Sequence, residues 1–175
     1  RRTPATSSPR MFTGIHVVES ALLDRLPEGV SDMIGDAYVP ALLDGARIGS
    51  LTMTGYFAEH STPERYLAGN LALLARPDLL PHPPGPLTGV DSGAQVDASA
   101  RIVAPVRVAA GAVVEADAVV GPGAVIGSEG RVRAGAKVVR SVVWPGAVAQ
   151  GEVMGSILTS EGSVFAELTP APQPT

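Results

Sequence analysis

The sequence predicts two unlike halves: a mixed α/β segment, then a solenoid of short stacked β-strands. Three observations carry this. An aliphatic residue returns at every sixth position from Val90 to Val138. Five prolines crowd the stretch "RPDLLPHPPGPLTG", Arg76 to Gly89, just ahead of the repeat. Before the prolines, β-rich stretches alternate with stretches of helical spacing.

The repeat is the stronger signal. In sixes it reads VDSGAQ, VDASAR, IVAPVR, VAAGAV, VEADAV, VGPGAV, IGSEGR, VRAGAK. Every first position is Val or Ile. The fifth is Ala or Gly, except Val106. The fourth is often a turn residue: Gly93, Pro105, Gly111, Asp117, Gly123, Gly135. A period of six does not match an α-helix, whose faces recur every 3.6 residues. It suits a coil with flat faces and tight corners, in which Val stacks over Val and the backbone bonds between layers. Each buried Val or Ile contributes on the order of 1.5–3 kcal/mol before entropy is subtracted. Three coils fit between Val90 and Val143. Beyond them the register slips, and "SVVWPGAVAQGEVMGSILTSEGSVF" has room for about another coil and a half. Trp144 and Phe165 are candidates to cap the last layer.

The first half needs more elements. "MFTGIHVVE" reads as a strand containing Gly14, and "ARIGSLTM" as another. A helix is predicted over "SDMIGDAYVPALLDG", capped by Ser31 or Asp32, broken or kinked at Pro40 and ended by Gly45. Thr62, Pro63 and Glu64 form a second helix start: a hydroxyl cap, a proline in the first turn and an early acid. Tyr66, Leu67, Asn70, Leu71 and Leu74 then follow at helical spacing. The expected segments are a flexible stretch over 1–10, the α/β part over 11–76, the linker over 77–89, the repeat over 90–168 and a disordered proline-rich tail over 169–175.

Composition excludes several classes of function. The chain has 175 residues, 45% of them hydrophobic, and a net charge of −4. That charge and the few aromatics offer no footprint for nucleic acid. No apolar run approaches the roughly 20 residues that span a bilayer, so no membrane partner is expected. Without cysteine there is no disulfide or thiolate metal site, which agrees with a cytoplasmic location. His16, His60 and His82 all precede the repeat, so no three-histidine metal site and no histidine base can lie within it. "GPGAVIG" is not a phosphate loop, because its glycines fall in step with the six-residue period and no helix follows. The only lysine is Lys137, inside the repeat.

Two resemblances add to this reading. The hexads resemble the repeat of left-handed parallel β-helices, three hexads to a coil. "FTGIHVVESALLDRLPEG", "YVPALLDG" and "GYFAEHSTPERYLAGNLALL", followed by such a repeat, resemble the C-terminal part of bacterial sugar-1-phosphate nucleotidyltransferases over about residues 11 to 165. Those NDP-sugar pyrophosphorylases include mannose-1-phosphate guanylyltransferases and glucose-1-phosphate thymidylyl- and uridylyltransferases. The implied fold is the trailing part of a Rossmann-like nucleotidyltransferase domain, then a left-handed parallel β-helix. The implied reaction joins a nucleoside triphosphate to a sugar 1-phosphate and releases pyrophosphate, with Mg²⁺ on the phosphates in the complete enzyme.

The same resemblance implies site residues. Gly14 matches the family's glycine that brings backbone close to the sugar. Glu59 falls where the family has a metal-binding Asp, and Ser61 where it has Gly. The glycine-rich "G-x-G-T-R" loop that cradles the triphosphate is absent, as is the "E-K-P" segment. The resemblance therefore implies that a nucleotide-binding N-terminal half is the missing partner, that this chain alone does not turn over, and that the prism associates into a homo-oligomer. Two other readings stand beside it: a non-catalytic regulatory or scaffold paralogue, and a hexapeptide acyltransferase.

Overall fold

The computed structural model describes residues 11–166. The expected flexible start over 1–10 and the tail over 169–175 lie outside them. Contacts divide the chain into two compact units, one ending at Met53 and one beginning at Thr54. Each is described by itself.

The second unit contains the repeat, and it is a parallel β-solenoid of about four turns. Strands β1 (Gly89–Val90), β2 (Gln95–Val96) and β3 (Arg101–Ile102) form the first coil. Strands β4 (Val106–Val108), β5 (Val113–Val114) and β6 (Val119–Val120) form the second. The third holds β7 (Ala124–Ile126), β8 (Arg131–Val132) and β9 (Lys137–Val139). The fourth holds β10 (Ser141–Val143), β11 (Val148–Ala149) and β12 (Glu152–Met154). Then β13 (Ser156–Leu158) opens a fifth layer, and β14 (Ser163–Phe165) folds back antiparallel to it. The faces run β1-β4-β7-β10-β13-β14, β11-β8-β5-β2 and β12-β9-β6-β3.

The hexad grammar is the register of this stack. Val90 pairs with Val108, Val96 with Val114 and Ile102 with Val120, each three hexads on. First positions stack on first positions and point inward. Val108, Val114, Val120, Ile126, Val132 and Val138 are all buried in one core. The fifth position is a second inward site, where Ala112, Ala118, Ala124 and Ala136 are buried. Their carbonyls also carry the ladder: Ala112 O accepts from Gln95 N at 2.8 Å and Ala118 O from Arg101 N at 2.8 Å. The fourth position turns the corner in the left-handed backbone region, with φ of 72° at Gly111, 58° at Asp117, 77° at Gly123, 57° at Glu129 and 69° at Gly135. Glu129 takes this conformation although its type gives no sign of it.

The slip in register has a physical basis. Val143 stacks over Ile126 and Leu158 over Val143, so the inward column continues after the hexads fail. The residues are lost at corners. Arg140 (φ 47°) alone turns the chain from β9 to β10, and Gly155 (φ 58°) alone from β12 to β13. A serine follows each. Ser141 Oγ donates to Val139 O at 2.7 Å, and Ser156 Oγ to Met154 O at 2.9 Å. Ser141, fully buried, also accepts from Ser156 N at 3.1 Å, so its hydroxyl takes up a donor of the next coil. Of the two residues expected to cap the last layer, Trp144 is on the outside at a corner against Tyr66, and Phe165 is in β14, the strand laid antiparallel on β13.

Helix α3 (Pro63–Ala75) begins as the sequence predicts. Thr62 Oγ1 accepts from Arg65 N at 3.3 Å. Leu67 is buried against Val142, Ile157 and Ala166, with Tyr66, Leu71 and Val125 around them. The helix thus lies on the outer side of the first face, where the outward residues of β7, β10 and β13 are aliphatic. The segment that the sequence assigns to the first half packs on the solenoid.

The first unit differs more from expectation. Ser20–Leu23 is a single helical turn, α1. Asp32 caps the next helix: its carboxylate accepts from Gly35 N at 2.6 Å while Asp36 accepts from Asp32 N at 2.8 Å. The turns over Met33–Tyr38 are wide, with Val39 N donating to Ile34 O, just before Pro40, which has no N–H to give. Helix α2 (Val39–Leu43) then closes with Ala46 N on Ala41 O and Gly45 N on Leu42 O, so Gly45 does end it. The strands expected at Met11–Glu19 and Ala46–Met53 do not form. A strand needs a neighbour for its backbone groups, and among the described residues none pairs with either segment.

These contacts set expectations for stability. Val120→Ala lowers the unfolding free energy of the solenoid by about 2 kcal/mol, whereas Val90→Ala, 44% exposed on the first strand, costs below about 1 kcal/mol. Ser141→Ala leaves the Ser156 N–H without its acceptor and costs about 1–2 kcal/mol. Urea titration of each variant measures all three.

Candidate functional site

Gly14 and Glu59 belong to different compact units, and each is placed in its own. Gly14 is exposed with φ 80°, and a Cβ built on it would meet nothing within 4 Å. Among the described residues it therefore makes no close backbone approach. Beside it is a depression of about 580 Å³ lined by Phe12, Ile15, His16, Arg25, Tyr38 and Arg47, among others. His16 Nδ1 and Tyr38 Oη share a hydrogen bond of 2.6 Å, and Phe12 meets the imidazole edge-on with ring centres 4.9 Å apart. Arg25 donates to Asp44 at 2.7 Å. The His16–Tyr38 pair escaped sequence reasoning, because 22 residues separate its members and no period links them.

Glu59 stands just ahead of α3. Its carboxylate is charge-paired with Arg65, which also donates to Ser61 Oγ at 2.9 Å. Nowhere among the described residues are three His, Cys, Asp or Glu gathered as metal ligands. Mg²⁺ wants near-octahedral oxygen coordination. One carboxylate already held by a guanidinium does not fit that demand, so no chemistry through a metal is derived from this arrangement.

His60 has a different role. Its ring lies on α3 at Gly69, where an added Cβ would stand 2.3 Å from Cε1. It meets Tyr66 edge-on at 5.7 Å, and Tyr66 meets Trp144 at 6.2 Å. The residue is exposed, but its ring is seated against the helix. A glycine in mid-helix costs roughly 1 kcal/mol relative to alanine, and at Gly69 the missing Cβ makes room for that ring.

On the solenoid, carboxylates organise the corners. Asp91 accepts from Gly93 N at 3.0 Å and from Arg107 at 3.3 Å, and Asp97 accepts from both the Ser99 N–H and hydroxyl. Glu115 accepts from Arg131 at 2.9 Å, Arg133 at 3.1 Å and Ala134 N at 3.0 Å. Lys137 pairs with Glu152 at 3.0 Å, which makes it a surface ion-pair partner. These bonds favour the charged forms. The Gly93 N–H and then Arg107 hold Asp91 below the ordinary carboxylate range, the Ser99 hydroxyl and N–H do so for Asp97, and Arg131, the Ala134 N–H and Arg133 do so for Glu115.

These features define a parallel β-solenoid with an outer helix and, as a separate compact unit, a small helical segment. Comparison of the sequence with protein-family models and with curated proteins finds no match in either. Among the described residues, no helix is long and apolar enough to cross a membrane.

Two expectations follow. Depressed carboxylates stabilise the fold above their unfolded pKa and lose that contribution as pH falls through the folded value. The solenoid therefore holds its stability from neutral pH down to about pH 4, the ordinary carboxylate range, and loses it below. Glu115→Gln flattens that acid limb in denaturation followed against pH. Gly69→Ala gains less stability in the native background than in His60→Ala, where the vacated space admits the methyl, and a double-mutant cycle by thermal melting reads the difference.

Proposed function

We propose that this chain is the trailing part of a sugar-1-phosphate nucleotidyltransferase, in which the solenoid is a scaffold and the first unit contributes to the edge of the sugar site. The observation that carries this reading is the order of segments. "FTGIHVVE", "YVPALLDG" and "GYFAEHSTPERYL" precede a solenoid, as in that family. The bare surface of the first unit supports it. Met11, Phe12, Ile15, Val17, Val30, Leu43, Leu51 and Met53 are each at least 62% exposed, while among its described residues only Ala37 and Ala41 are buried hydrophobics. Such a surface wants a covering domain. In this reading that domain brings the triphosphate loop, which is not among these residues, and most of the groups that hold Mg²⁺, whose charge screens the phosphates when bound. The left-handed winding, the NDP-sugar product and a bacterial cytoplasmic setting belong to the same proposal.

A specific observation favours a second reading. The pairing of Glu59 with Arg65 occupies the one carboxylate that the resemblance assigns to metal, as a non-catalytic scaffold or regulatory paralogue would permit. The acyltransferase reading finds no such support.

One experiment separates the two. The chain alone, given GTP, dTTP or UTP with a hexose 1-phosphate, releases no pyrophosphate. Fused behind a nucleotide-binding half of this enzyme class, it restores release, and Gly14→Val lowers the rate at least tenfold. A fusion that stays silent with every nucleotide and sugar tried ends the enzyme reading and leaves the scaffold.

A further inference from the structure

The two ends of the solenoid are chemically unlike. The first coil carries Asp91, Asp97 and Arg101 around its edge. The last strands of the three faces, β11, β12 and β14, instead carry exposed Val148, Met154, Val164 and Phe165, with Phe165 69% exposed. Glu152 is the one charge on these strands, and it is paired with Lys137.

Among the described residues, β14 also ends its sheet with an open edge. Ala166 N donates to Gly155 O and Thr159 N to Gly162 O. Antiparallel pairs alternate between bonded and non-bonded. Ser163 and Phe165 therefore turn their N–H and C=O groups away from β13. No residue of β14 is charged, and an uncharged, apolar edge is the kind that recruits another strand.

From these observations we infer that the chain pairs with a second copy of itself through β14, end to end along the solenoid axis. The pairing is antiparallel and two-fold: Ser163 lies opposite the second copy's Phe165, and Val164 opposite Val164. An antiparallel edge is its own complement, so one patch serves both copies and the contact closes at two. Head-to-tail stacking would set the apolar end against Asp91, Asp97 and Arg101 and desolvate those charged groups without offering them a new partner. The contact is thus at the ends of the prism and not on its faces, and it does not depend on the proposed enzymatic role.

The chain has no cysteine, so single-cysteine variants give a clean test. Under mild oxidation, Val164→Cys yields a disulfide-linked dimer, because this residue sits at the non-bonded two-fold position where Cα atoms approach to about 4.5 Å. Val119→Cys, outward on β6, does not. The full-length chain sediments as a dimer at micromolar concentration, and Val164→Lys roughly halves the sedimenting mass while circular dichroism stays unchanged. If Val164→Lys fails to fold, the cross-linking pair still decides. A monomeric native chain, or association that survives Val164→Lys and cross-links through Val119→Cys, overturns the inference.

Discussion

The stacking of one aliphatic residue upon another in successive coils is the constraint on which the rest of the structure depends. A parallel ladder fixes both the backbone bonds and the direction of every side chain. A shift by one residue would send Val120 outward and bring Val119 in. The chain can therefore vary only where no ladder runs. Its variation is indeed at the corners: hexad spacing through Val138, then single-residue corners at Arg140 and Gly155 and a shortened corner of Gln150 and Gly151 between β11 and β12. Shortening a corner leaves less backbone to satisfy the next coil, and the Ser141 hydroxyl supplies one of the missing acceptors. The core is continuous across the break because the faces were kept and the corners were cut.

The outward residues determine what the solenoid can carry. On the first face they are Arg107, Val125, Val142 and Ile157, aliphatic from the third coil onward. On the second face they are Gln95, Val113, Arg131 and Val148, and on the third Arg101, Val119, Lys137 and Glu152. Only the first offers an unbroken apolar strip, and α3 lies along it. Ion pairs across coils occupy the polar columns instead, as Glu115–Arg131 and Lys137–Glu152 do. Such exposed pairs add little to stability. They keep the second and third faces wet, and this directs the helix to the first.

How much of this could be read from the sequence follows from the range of the interactions. The inward column was legible because each coil repeats the same local demand: Val or Ile, a small residue, a turn. The cap at Thr62 was legible because capping reaches only three residues. The docking of α3 was not, although "AVI", "SVV" and "SIL" carry its signal, because outward aliphatics have meaning only once the faces are known. The strands at Met11–Glu19 and Ala46–Met53 failed for the same reason in reverse. Their composition states a preference for a pleated, half-buried surface, and that preference is realised only beside a partner strand. At the candidate site, Glu59 was found by position and its engagement with Arg65 was not, since the sequence does not say which of two neighbouring charges meets the other.

The uneven cover of the chain bears on function. Ordering a residue's backbone costs roughly 1–2 kcal/mol, and buried apolar surface must offset it. The solenoid does this through a column of fully buried aliphatics and a backbone bonded coil to coil. In the first unit two buried alanines contribute little, and the large side chains of Val17, Val30, Leu43 and Leu51 face outward. In the proposed reading, a unit with that balance gains its stability from the domain that covers it. In that reading the groups gathered in it, the His16–Tyr38 pair and the arginines around the depression, are set by the covering domain as much as by their own sequence. This ties any chemistry in the first unit to assembly, whereas the solenoid's architecture is written locally, six residues at a time.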